Sequence, residues 1–428
     1  MIVKRDIAGK ILKVIGRKEA IAIVGPRQSG KTTLLNILKE QVEKKSLGHA
    51  VYVSFEYRKS AQQFAADPIE FVKTLTKTDR QNFLFLDEVQ LVPDAANALK
   101  TVFDLTSVKL IFTGSISVQL REIAAKMAGR VLSFRLMPFS FSEFLRARDP
   151  FLERFTSEHR RTVREFILEG KVNDVPPAPP DAVIEQLNRL VAEFITFGAY
   201  PAVVLETDPE IKKHLLYSIL SMVFERDILM LTSSGQFERF MAVISALAAS
   251  GCGILRLRGL SSELGINFRT LKRHVEAIEN ALIISTLRPF HRNRITELKR
   301  NPKICFNDPG IRNVAIDSFS DPTVRPDRGV LGEIFVLSEL LKLLPIWERV
   351  NYWRTKTRQE VDFVIFHNDM PIPIEVKNRS MREFRIPNSL ASFIKTYKSR
   401  AAMVINRTLS GIKEFNGCRV LFVPFWAF

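Results

Sequence analysis

The first third of the chain alternates two hydrophobic patterns. Runs rich in apolar or β-forming residues, at 20–24, 50–56, 83–86 and 109–115, the last ending in small polar residues, are separated by segments such as the helix start at 33–38 and the amphipathic 68–75. A strand without polar alternation suits a parallel sheet covered on both faces, and intervening helices supply the cover. One more strand is expected at 129–136. Residues 1–150 therefore predict an α/β module, with Phe139, Phe141 and Phe144 packing at a helix start around Ser142 and Glu143.

Further on, the pattern changes three times. Residues 151–170 read as a charged helix, Val175 to Pro180 as a stiff proline-rich spacer, and 181–197 and 211–231 as two helices packed as a lid, making a segment 151–235. In 236–320 an apolar helix at 241–250 precedes a short helix closed by Gly265 and a third begun by Asn267 or Thr270. Leu271, Val275 and Ile278 give that third helix a core face and leave Lys272, Arg273 and Glu276 outward, and a strand at 282–287 follows. This order predicts a winged helix. In 321–428 a helix at 329–344 carries the stripe Val336, Leu337, Leu340 and Leu341, and two strands at 361–366 and 372–377 flank a turn.

Charge and composition narrow the reading. Lys and Arg exceed Asp and Glu to give +17 over 428 residues, so a polyanion is the natural partner and nucleic acid the leading one. The basic stretch Arg288, Arg292, Arg294, Lys299 and Arg300 follows the third helix of the winged segment, where it suits phosphate contacts on DNA; docking of a protein is the competing use. No apolar run approaches the roughly 18 residues of a membrane span, and the start lacks a signal-peptide block, so a cytoplasmic protein without a membrane partner is expected. Three widely spaced cysteines fit neither a disulfide framework nor a zinc site.

The chemistry concentrates at two places. Gly25, Pro26, Arg27, Gln28, Ser29, Gly30, Lys31 and Thr32, with Thr33 opening a helix, form a phosphate-binding loop between strand and helix. Its backbone N–H groups would cradle a polyphosphate, Lys31 would reach the β- and γ-phosphates, and Thr32 would put its hydroxyl on Mg²⁺. ATP and Mg²⁺ are the expected cofactors. Asp87, ending the strand 83–86, would hold Mg²⁺, and Glu88 would deprotonate the attacking water. Ser115 is either a sensor of the γ-phosphate or a helix cap. Arg27 and Arg130 either stabilise phosphate charge, from the same chain or a neighbouring subunit of a homo-oligomer, or make structural ion pairs.

The strings GPRQSGKTTLL, FLDEVQ, FTGSISVQL and GRVLSFRLMPFSFSEFL resemble a bacterial and archaeal family of AAA-type ATPases carrying a C-terminal domain of unknown function. Phe197 to Pro201, Phe306 to Gly310 and the final module extend the resemblance over most of the chain. It implies an ATPase in which the arginine of the loop and the Gly129-Arg130 pair recur, and it leaves the purpose of hydrolysis open.

The second place is the last module. Glu333 lies on the apolar stripe of its helix, where a carboxylate needs a partner. Period-2 alternation puts Glu375 and Lys377 on one strand face, and a hairpin brings Asp362 beside them. Glu, Asp and Glu-x-Lys in this order resemble the PD-(D/E)xK, restriction-endonuclease-like nucleases, although Val361 stands where the superfamily carries proline. The resemblance implies a metal held by Glu333, Asp362 and Glu375, with Lys377 stabilising charge or orienting water. Such a domain either cleaves or only binds. The expected fold is thus an α/β P-loop AAA-type ATPase domain with helical lid, a winged helix, and a restriction-endonuclease-like C-terminal α/β domain at 321–428. The expected function is an Mg²⁺-dependent ATPase coupled to DNA binding and phosphodiester cleavage, or a nucleotide-dependent switch that binds protein partners.

Overall fold

The computed structural model describes residues 2–114, 122–123, 125–170, 174–225, 237–291, 297 and 300–428. Ser115, Arg292, Arg294 and Lys299 lie outside the described residues, and with them the sensor role expected of Ser115 and most of the expected basic wing. The chain forms two compact units, one running to Pro138 with Asn280–Leu282 added, the other made of Phe139–Glu279 and Ile283–Phe428. No helix among the described residues is long and apolar enough to cross a membrane.

The first unit is a parallel sheet of β1 (Ala20–Val24), β2 (His49–Ser54), β3 (Asn82–Asp87), β4 (Lys109–Gly114) and β5 (Val131–Arg135), in the order β2-β3-β4-β1-β5. Helices cover both faces, which is why the strands are apolar runs. On one face Ile21 and Ile23 pack against Leu34, Leu35 and Leu38 of the helix Lys31–Lys44. Those three leucines are fully buried, a contribution of roughly 1.5–3 kcal/mol each. On the other face Ala20 and Ala22 join Phe64, Leu99 and Val102. The helix Pro68–Leu75 starts where Asp67 accepts hydrogen bonds from the N–H groups of Ile69 and Glu70, with proline in the first turn.

In the second unit the expected helix at 181–197 is Asp181–Phe197, and that at 211–231 is described as Pro209–Val223. The helix Phe141–Arg148 opens with a capping box between Ser140 and Glu143, and Phe141 and Phe144 are buried against Phe194. Helices Phe237–Ala249, Leu257–Glu263 and Phe268–Asn280 accompany a small antiparallel sheet of β6 (Gly253–Ile254), β7 (Ile284–Leu287) and β8 (Lys303–Phe306), ordered β6-β8-β7. Leu271, Val275 and Ile278 are buried, while Lys272, Arg273 and Glu276 face outward.

One expectation is corrected here. Cys252 and Cys305 are disulfide-bonded, with Cα atoms 4.3 Å apart. Pairing of Gly253 with Ile304 places the two cysteines opposite each other across the β6–β8 ladder, a proximity that 53 residues of separation conceal. Cys418 is buried and free.

The unit ends in a six-stranded sheet. The helix Arg328–Leu343 leads into an antiparallel meander of β9 (Val350–Arg354), β10 (Glu360–His367) and β11 (Met370–Val376). The turn between β10 and β11 needs left-handed backbone at Asn368 and Asp369, residue types that tolerate it. After the helix Asn388–Tyr397, β12 (Ala401–Asn406) joins β11 in parallel, and β13 (Gly411–Phe415) and β14 (Cys418–Pro424) complete the order β13-β14-β12-β11-β10-β9.

Candidate functional site: a phosphate-binding loop and an acidic cluster

Strand β1 delivers the loop 25–30 at its carboxyl end, beside the amino end of the helix Lys31–Lys44. Gly25 is required by a close approach, since a Cβ there would fall 2.1 Å from the carbonyl oxygen of Leu136. Gly30 caps the helix with φ 92°, the left-handed conformation that glycine adopts without strain. Arg5, missed in the sequence, braces the loop from below: its guanidinium donates to the carbonyls of Ser29 and Met137, each at 2.7 Å. Both acceptors lie far from it along the chain, so no local pattern marks Arg5.

The chemical groups converge where β1, β3 and β4 end. Lys31 is buried, donates to the carbonyls of Gly25 (3.3 Å) and Pro26 (3.1 Å), and has its ammonium 3.8 Å from a carboxylate oxygen of Glu88. Thr32 Oγ1 donates to Asp87 Oδ2 at 2.6 Å. A hydroxyl and a carboxylate brought together by loop and strand are the donor set that Mg²⁺ takes beside a bound polyphosphate, so the residues fit the expected ion.

Two further groups that the sequence reading passed over hold Asp87. Thr113 donates to its other oxygen and also accepts the Glu88 N–H at 3.0 Å, and Tyr52 donates its hydroxyl at 3.0 Å. Burial and the Asp87 carboxylate push the Tyr52 phenol up to about 12, so it remains a donor at neutral pH. Glu88 itself has left-handed backbone, φ 56°, and its carboxylate accepts from Gln90. A non-glycine residue in this conformation costs about 1–3 kcal/mol, which the surrounding bonds must offset.

Arg130 is not brought to the site of its own chain. It pairs with Asp104 at 2.8 Å, and its carbonyl accepts from Ala20, which begins β1, whereas the loop follows Val24. Four strand steps, about 13 Å, separate those ends. The structural ion pair expected as the alternative is therefore present. Arg135, which pairs with Val24 in register, is the arginine of β5 nearest the loop along the strand, and burial pushes its guanidinium down to about 10.

In the second unit the four residues expected of a nuclease gather into one electrostatic cluster. Glu375 is buried; one oxygen accepts from Lys377 at 2.6 Å and from Ser389 at 3.3 Å, and the other is buried with no hydrogen-bond partner among the described residues. Asp362 accepts the Val376 N–H at 2.7 Å. Burial, with Asp362 next in weight, pushes Glu333 well above the carboxylate range and Glu375 up to about 7. Lys303 was missed because it lies on β8, outside the module expected to hold the cluster. It pairs with Glu360, and although burial works against its charge, Glu333, Glu360 and Asp362 hold its ammonium above the ordinary range. Among the described residues no three His, Cys, Asp or Glu side chains stand close enough together to hold a metal ion as placed.

Residues 17–145 match a family described as an AAA domain; residues 188–322 and 328–427 match two families each described as a domain of unknown function. An uncharacterized protein of Methanocaldococcus jannaschii is 25% identical over 371 residues, 85% of this chain and 75% of its own length. One of Mycobacterium tuberculosis is 22% identical over 96% of this chain and 84% of its own length. Among solved structures, the replication initiator DnaA bound to AMPPCP and single-stranded DNA overlaps 65% of this chain and 90% of its own, at 17% identity and a TM-score of 0.25. Drosophila ORC bound to DNA overlaps 69% and 90%, at 13% identity and a TM-score of 0.30. These structural overlaps are too slight to bear on ligand or partner. The match over 17–145, together with the loop and sheet, makes the amino-terminal region an AAA-type P-loop domain.

Proposed function

We propose that the protein hydrolyses ATP in its first unit and couples the nucleotide state to nucleic-acid binding in its second. The observation that carries the hydrolysis is the convergence of Thr32 on Asp87 beside the Lys31–Glu88 pair. Loop N–H groups bind the β- and γ-phosphates, and Lys31 neutralises their charge. Glu88 accepts a proton from water as its oxygen attacks the γ-phosphorus and the bond to the β–γ bridging oxygen breaks, leaving ADP and phosphate. Thr113 holds Asp87 and the Glu88 backbone so that neither has to reorganise. Mg²⁺, held by Thr32 and Asp87, would supply charge neutralisation at the phosphates. The test is phosphate release with and without Mg²⁺ in the natural protein and in Lys31→Ala. Metal-dependent release that Lys31→Ala loses supports the reading, and equal release by both removes it.

The nucleic-acid role draws on the net charge of +17, and on helices Phe237–Ala249, Leu257–Glu263 and Phe268–Asn280 with their three-stranded sheet, an order that agrees with a winged helix. A nuclease-like reading of the last module draws on its helix, three-strand meander, helix and parallel strand, and on the unpartnered buried oxygen of Glu375. In that reading Glu333, Asp362 and Glu375 are the metal's carboxylates, which would have to draw closer together than they stand here, and Lys377 would steady charge at the scissile phosphate. A second reading, a nucleotide-dependent switch that binds protein without cutting, is favoured by Lys377 and Lys303 already pairing with Glu375 and Glu360. Mn²⁺-dependent cleavage of DNA that Glu375→Ala abolishes would favour the first of these; DNA left intact by a preparation that hydrolyses ATP would favour the second.

A further inference from the structure

A pocket of about 190 Å³ opens at the carboxyl ends of β11 and β12, beside the helix Asp181–Phe197. Its polar lining comes from Asn188, Thr323, Asn378, Ser380, Arg407 and Thr408. Asn378 lies just beyond β11 and Arg407 just beyond β12, so two strand ends fix the wall that carries the charge. Arg407 donates its Nε to Asn378 Oδ1 at 2.8 Å, and Asn378 in turn donates to the Arg328 carbonyl at 2.6 Å. The guanidinium is therefore held through its Nε, and among the described residues its two terminal nitrogens make no hydrogen bond.

No carboxylate among the described residues pairs with Arg407. Asp321, the acidic group that acts on it electrostatically, already accepts the Thr323 N–H at 2.7 Å. Burial and then Arg328 hold the Arg407 guanidinium below its ordinary value, and Asp321 offsets them only in part. A pocketed arginine, anchored through its Nε, flanked by hydroxyl and amide side chains and short of negative charge, presents the fork that matches tetrahedral phosphate oxygens. A water occupies about 30 Å³ of liquid, so the space takes a phosphate group and part of its ester arm.

We propose that this pocket binds a phosphate group, with Arg407 as its principal ligand. The group belongs either to a nucleic-acid backbone or to a small phosphorylated compound. The site requires neither ATP hydrolysis nor the acidic cluster.

The test uses the full chain carrying Lys31→Ala, so that the phosphate loop does not compete. Inorganic phosphate affinity is read from the rise in unfolding temperature against chloride at equal ionic strength. Adding Arg407→Ala is expected to weaken phosphate at least about tenfold, and Arg407→Lys, which keeps the charge and loses the fork, by about threefold or more. Arg419→Ala, at an exposed position on β14, should leave the affinity unchanged. Should Arg407→Ala fail to fold, the lysine variant carries the comparison. Binding of a DNA duplex then separates the sources: a salt slope that falls by about one in the Arg407 variant assigns the group to the backbone. An unchanged slope assigns it to a small compound. Phosphate affinity equal in the parent and both Arg407 variants overturns the proposal.

Discussion

At Asp87 three hydroxyls meet one carboxylate, and the side chain of Thr113 also fixes the backbone of Glu88. Thr113→Val keeps the volume and removes both bonds. A hydrogen bond to a charged group contributes about 1.5–3 kcal/mol, which corresponds to roughly ten- to a hundredfold in rate. Steady-state kinetics should show that loss in kcat with a smaller change in KM for ATP; a change in KM alone would mean that Thr113 only shapes the binding site. Arg5→Ala removes the brace beneath the loop, and because it leaves the carbonyls of Ser29 and Met137 without their donor, destabilisation of about 1–3 kcal/mol is expected in a urea titration. Unaltered stability would assign Arg5 no structural role.

The elements differ in how openly the sequence declares them. Strands β1, β3 and β4 are legible because a strand buried on both faces must be apolar throughout, and the loop and Asp87 are legible because phosphate chemistry restricts residue type at adjacent positions. Contacts between distant segments are not. Arg5, Tyr52, Thr113 and Lys303 each reach a functional group through a strand pairing or a fold-back, and the Cys252–Cys305 bond depends on the ladder between β6 and β8. Arg130 is a case the sequence leaves open between phosphate and a structural ion pair; within its own chain it stands just before β5, paired with Asp104.

Lys109, at the start of β4, is a test of the same sheet through pH. It is buried, donating to the carbonyls of Arg17 (2.8 Å) and Glu19, and burial lowers its ammonium from 10.5 to about 8. Between those two values the unfolded chain binds the extra proton, so stability should rise with pH across that window. Lys109→Met should lack that rise in thermal unfolding measured from pH 7.5 to 10.5; parallel curves would contradict the assignment.

On the scale of the whole molecule, one unit carries an AAA-type phosphate-binding loop and the other carries the acidic cluster and an arginine pocket. If the second unit neutralises DNA phosphates, duplex affinity should fall steeply with salt, by about 0.9 in log units per log unit of salt for each phosphate contacted. Fluorescence anisotropy at several salt concentrations reads this directly, and affinity indifferent to salt would leave a protein partner as the reading. DNA that raises ATP turnover would link the units; turnover raised only by a protein would favour the switch.

The central claim is that this loop and this glutamate perform hydrolysis, and it separates cleanly into binding and chemistry. The decisive measurement is ATP affinity and turnover, taken together, for Glu88→Gln beside the natural protein. ATP affinity should persist while kcat falls by about 10²–10⁴, the contribution of a positioned general base. Turnover that survives in Glu88→Gln at the natural rate would contradict the account.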